Sequence, residues 1–192
     1  MRILFEKSNT NIGKLGRFVD TYPYTHVSIS FDNENYFSFS RRKHHNPFDS
    51  GFMIEKMNYY AYEDVQLKVY EVDVSKDKIE KIYEFINEVK DYPFDIYGMI
   101  KMYMKHPREK TNAYNCMSFV SRILQIIEIP LIKKNYYENN IEDIENALIN
   151  YGLKAEILKV NKMENNDGYM DKVSIFEILK SFIEINKKLL KK

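Results

Sequence analysis

Two residues carry the chemistry for which this chain can be read. Cys116 is the only cysteine among 192 residues. It opens the run Asn115-Cys116-Met117-Ser118-Phe119-Val120-Ser121-Arg122-Ile123-Leu124. Cys116, Phe119, Val120, Ile123, Leu124 and Ile127 recur at helical spacing, which predicts a helix with the thiol at the top of its apolar stripe. Asn115 stands at the N-cap position. A thiol there faces the positive end of the helix dipole, which favours the thiolate, the nucleophile of cysteine hydrolases and acyltransferases. The candidate base is His26, far upstream in the strand-like run Thr25-His26-Val27-Ser28-Ile29-Ser30-Phe31. The two would meet in space rather than in sequence. The plainer alternative is a buried cysteine acting as a small hydrophobe and an inert histidine on a strand face. The residues leave both open.

A working pair needs a third group to orient the histidine. Ser38 and Ser40 lie on the next strand, and Glu55 follows a polar stretch. A tight hairpin would set Phe39 and Phe37 opposite Ser28 and Ser30 and turn Ser38 away; a bulge or longer loop would restore it. Ser38 is the third catalytic candidate. Tyr22 or Tyr24 could donate to an oxyanion beside the Cys116 N–H. Arg41, in the basic run Arg41-Arg42-Lys43-His44-His45, reads first as a solvated loop and second as a contact for a substrate anion. Tyr24, Arg41 and Asn115 are the substrate-binding candidates. His44 and His45 lack nearby acids, so no metal or other cofactor is expected.

The elements that must position these groups follow from periodicity. Residues 2–6 read as a short strand, and 14–20 as a short helix. Strands over 25–31 and 36–41 flank a turn at 32–35, with 42–51 as a loop. Residues 65–74 alternate as a strand. Ser75 can cap a helix whose apolar positions are Ile79, Ile82, Ile86 and Val89, ending before Pro93. A second helical stretch covers 96–104. Beyond the cysteine helix, 141–151 reads as a helix ended by Gly152, and 153–160 as a last strand. Ser174-Ile175-Phe176-Glu177 is a capping box opening a helix to Leu190. The division is a domain over 1–162, a linker over 163–173 and a C-terminal helix over 174–192.

Composition narrows the class. Hydrophobic residues make up 44% of the chain and the net charge is +1, so a sizeable core is expected and a nucleic-acid partner is not. A single cysteine excludes an intramolecular disulfide. The apolar stretch near Met1 is too short for a signal peptide, and no run is long enough for a transmembrane segment. The expectation is a cytoplasmic protein.

The order of these boxes also carries a resemblance. Thr25–Asp32, Tyr36–Arg42, Asn46–Phe52 and Tyr114–Leu124 place a strand histidine first and an Asn-Cys helix last, the reverse of papain. The chain thus resembles the circularly permuted NlpC/P60 branch of the papain-like superfamily over roughly residues 20–130. That branch holds the YaeF/YiiX-type permuted amidases and the lecithin:retinol acyltransferase-like proteins. The resemblance implies an α+β fold, an antiparallel sheet packed against helices, with the C-terminal helix as an addition. It makes Cys116 the nucleophile and His26 the base, with the third polar residue on the strand after the histidine, where Ser38 falls. The implied reaction is hydrolysis or acyl transfer at an amide or ester through a thioester. The substrate would be a small molecule, peptide or lipid. A non-catalytic binding module on the same fold is the alternative, and the C-terminal helix could serve a homo-oligomer.

Overall fold

A computed structural model of the chain describes residues 1–7, 22–56, 65–104, 106–161 and 168–190. The short helix expected over 14–20 and residues 163–167 of the linker expected over 163–173 lie outside the described residues. Within them the chain is α+β. Its strands are β1 (Arg2–Lys7), β2 (His26–Ser30), β3 (Asn35–Lys43), β4 (Asn46–Lys56), β5 (Val65–Glu71) and β6 (Ala155–Val160). Its helices are α1 (Lys76–Val89), α2 (Ile96–Tyr103), α3 (Cys116–Ile126), α4 (Ile141–Asn150) and α5 (Ile175–Leu190), with a 3-10 turn at Tyr136–Glu138.

The strands form one sheet in the order β4-β3-β2-β1-β5-β6, and every neighbouring pair is antiparallel. Directly paired residues share a face, so register decides what each side presents. Ile3 pairs with Ile29 and Phe5 with Val27. Ile29 also pairs with Phe37. Ile3, Phe5, Val27, Ile29 and Phe39 join the main core with residues of α1, α3, α4 and α5. The other face pairs Leu4 with Ser28 and Glu6 with His26. It carries a smaller apolar cluster of Leu4, Tyr36, Val65, Leu67 and Val69. Both sides of β1 are therefore buried, which is why Ile3-Leu4-Phe5 reads as an unbroken apolar run rather than an alternating one.

Aromatic contacts fix α3 to this sheet. Phe119 is fully buried and meets Phe39 at 5.4 Å, Phe85 of α1 at 5.7 Å and Phe52 at 6.0 Å between ring centroids. Burying such a ring contributes about 3 kcal/mol or less by area, and the ring pairs add to it. The first turn of α3, which carries Cys116, is thereby pinned against β3 and β4.

The stretch over 42–51, expected as a loop, is instead strand. β3 and β4 form a long hairpin that turns at His44-His45, with an irregularity between Arg41 and Lys43. β4 is a sheet edge. An edge strand tolerates Pro47 and charged side chains because one row of its backbone groups needs no partner, so polar composition concealed the pairing. At α2, Asp95 Oδ1 accepts from Gly98 N at 2.9 Å. A Cβ on Gly98 would fall 1.9 Å from Asp95 Oδ2, so the cap requires glycine.

Candidate active site

Cys116 stands at the first position of α3, and a closed capping box holds that helix end. Asn115 Oδ1 accepts from Ser118 N at 2.9 Å, and Ser118 Oγ accepts from Asn115 N at 3.1 Å. The box needs only Asn at the cap and a short hydroxyl three residues on. Phe119 N then begins the helical ladder on Asn115 O. The N–H groups of Cys116 and Met117 lie outside the cap, as donors of a first helical turn do.

His26 stands at the first position of β2, so nucleophile and candidate base both sit at element ends. The His26 ring hydrogen-bonds the side chain of Cys116. Its Nε2 lies 3.0 Å from Glu55 Oε2. Cys116 is 6% exposed and Glu55 is 4% exposed, while the His26 side chain between them keeps 16% of its surface in water. Burial alone would lower the imidazole pKa. The charge of Glu55 and the hydrogen bonds to Cys116 and Glu55 outweigh it and hold His26 well above the ordinary histidine value. A second acid, Glu6, is paired with His26 across β1 and β2. Burial pushes the Glu6 carboxyl up to about 7, with His26 and Arg41 opposing and Glu55 reinforcing.

The third position differs from the expectation. The register sets Ser30 against Tyr36 and Ile29 against Phe37, so Ser38 does fall on the face of Ser28 and His26. Its hydroxyl, however, donates to Val27 O at 2.8 Å. Ser38 is a fully buried strand tie, and Glu55 is the group on the histidine ring. A carboxylate accepts from an imidazolium and opposes its charge; a serine hydroxyl can accept but carries no charge. The signal for Glu55 was an acid placed within the apolar strand run Phe52-Met53-Ile54-Glu55; the same holds for Glu6 after Ile3-Leu4-Phe5.

The remaining candidates divide. Asn115 is adjacent to the thiol, buried, and occupied as the helix cap. Arg41 is not a solvated loop residue: Nη1 donates to His44 O at 2.9 Å, and its charge reaches Glu6. The two tyrosines belong to another centre. Tyr22 donates to Glu145 Oε2. Tyr24 is 6% exposed, packs on Phe5 and Tyr22, and carries the Lys68 ammonium 4.6 Å above its ring.

A small cleft is lined by Asp95, the N-cap of α2, and Gly98, by Arg108 and Lys110, and by Asn115 and Ser118, which cap the helix that carries Cys116. Among the described residues no group of three His, Cys, Asp or Glu side chains is set to hold a metal ion. Compared with known proteins, the chain matches no protein-family model and no curated protein sequence.

Proposed function

We propose that the chain is a thiol-dependent acyl hydrolase or acyltransferase with a permuted NlpC/P60-like, papain-like arrangement. In this reading Cys116 is the nucleophile, His26 the proton carrier, and Glu55 the group that orients and charges the histidine. The observation that carries it is the His26 ring hydrogen-bonded to both the Cys116 side chain and the Glu55 carboxylate. A histidine held above its ordinary value keeps the proton that the thiol gives up, which is what a thiolate–imidazolium pair needs.

The Cys116 sulfur attacks the carbonyl carbon of an amide or ester. The tetrahedral oxyanion is met by the Cys116 N–H at the start of α3. The His26 proton passes to the departing amine or alcohol, leaving a thioester on Cys116. Water, deprotonated by His26, then releases the acid; an amine or hydroxyl in its place gives acyl transfer.

The test is iodoacetamide labelling of Cys116 followed across pH. Fast labelling below pH 7 that His26→Ala abolishes is the expected result. An ordinary thiol profile with a midpoint of about 8.5, the same in both proteins, would sink the enzyme reading in favour of a binding module.

A further inference from the structure

α5 is apolar on two sides. Ile185 and Leu189 are buried in the main core, and Phe182 packs on Phe48 of β4 at 4.9 Å between centroids. A second stripe looks outward: Phe176 is 80% exposed, Leu179 53%, Ile183 52% and Leu190 81%. A helix this apolar around its circumference is normally enclosed by more protein or by lipid.

The stripe continues onto a neighbouring helix. Tyr97, Ile100 and Met104 are exposed and fall at i, i+3 and i+7 along α2 and its C-cap. Tyr97 Oη donates to Asn186 Oδ1 at 2.7 Å, so the two exposed stripes adjoin. The patch also borders the small cleft that Asn115 and Ser118 line. Gly98 lines that cleft, and so does Lys110, whose ammonium donates to Leu189 O at 2.6 Å.

Charge distinguishes the possible occupants. α5 carries two acids, and both are engaged: Glu177 with Lys43 at 3.7 Å and Glu184 with Lys180 at 3.9 Å. Lys187 and Lys188 are exposed in its last turn. A second copy packed in parallel on this face would bring the same lysines together. An anionic bilayer attracts them while its acyl region takes up the phenylalanine, leucine and isoleucine side chains.

We propose that the joined outer faces of α5 and α2 dock on an anionic lipid surface. The helices lie in the plane of the interface and do not cross it; no helix among the described residues is long and apolar enough to span a membrane. The proposal does not depend on whether Cys116 is catalytic.

The experiment is sedimentation of the full chain with vesicles of phosphatidylcholine, with and without phosphatidylglycerol. Binding is expected with the anionic vesicles and should weaken about tenfold or more in Lys187→Glu/Lys188→Glu. It should also be lost in Phe176→Ser/Leu179→Ser/Ile183→Ser, whose exposed positions leave the core intact. Because the chain has no tryptophan, Leu179→Trp adds a single fluorophore, and its emission should shift to the blue only with anionic vesicles. No binding above the phosphatidylcholine level, or binding that both multiple variants retain, overturns the proposal. So does concentration-dependent self-association that the triple serine variant abolishes without any vesicle binding, because the face then belongs to a second copy.

Discussion

Glu55 and Glu145 are each 4% exposed, yet they are held by opposite kinds of partner. Glu145, on α4, accepts from Tyr70 at 2.5 Å and from Tyr22, and the Lys68 ammonium lies 2.6 Å away. Burial pushes the Glu145 carboxyl up and the Lys68 ammonium down, so desolvation prevails over their mutual attraction. Two hydroxyls and an ammonium tie α4 to β5 and to the chain before β2. Glu55 instead lies against the His26 ring, which also hydrogen-bonds the Cys116 side chain. The same buried carboxylate chemistry thus makes a fastening in one place and, in the other, holds a histidine that also meets a thiol; in the proposed function that second place is a proton relay.

Removing each acid should separate the two roles. Glu145→Ala leaves Lys68 without this counter-charge and removes the carboxylate that accepts from buried Tyr70 and half-buried Tyr22. The expected loss is about 3 kcal/mol in chemical denaturation, with the pH profile of Cys116 labelling unchanged. An altered labelling profile would mean the two centres are coupled. Glu55→Gln should do the reverse. Without the carboxylate the His26 value falls, the thiolate–imidazolium pair weakens, and labelling near pH 6 slows about tenfold or more. A labelling rate equal to that of the unsubstituted chain would remove Glu55 from the relay.

Glu6 offers a finer test on the stability side. Its folded value of about 7 lies above the unfolded value of 4.5. The folded state therefore binds the extra proton. The stability so contributed is complete below pH 4.5 and is lost as pH rises toward 7. His26, also raised, adds a contribution present below pH 6.5 and lost as pH climbs through its folded value. Glu6→Gln should flatten the first decline, by about 3 kcal/mol at most, in stabilities measured at several pH values, and leave the second. The smallest effect belongs to Ser38→Ala. It deletes one buried hydrogen bond, for about 1 kcal/mol, and should leave Cys116 reactivity untouched. Slowed labelling there would return Ser38 to the site.

Elements were legible wherever one local rule dominated. The apolar stripe from Cys116 to Ile127, the Asn115 cap and the Ser174–Glu177 box are all short-range patterns, and each marks a helix in the structure. β4 was not legible, because an edge strand rich in polar residues obeys no strict alternation. The site was legible by half. Cys116 and His26 stand out as chemically capable groups in ordered runs. Glu55 was visible as an acid in an apolar run, but nothing local distinguishes an acid that meets a histidine from one that meets a lysine.

Residue types and short-range spacing were enough to mark the helices and the strands other than β4, and to single out Cys116 and His26 as candidates. Tertiary structure alone decided which carboxylate sits on His26, that Ser38 ties a strand, and that Tyr22 and Tyr24 belong with Glu145. The reason is physical. Helix capping and strand alternation act over a few residues, whereas a hydrogen bond between β2 and β4 depends on sheet register and on how the β3–β4 hairpin is brought against β2.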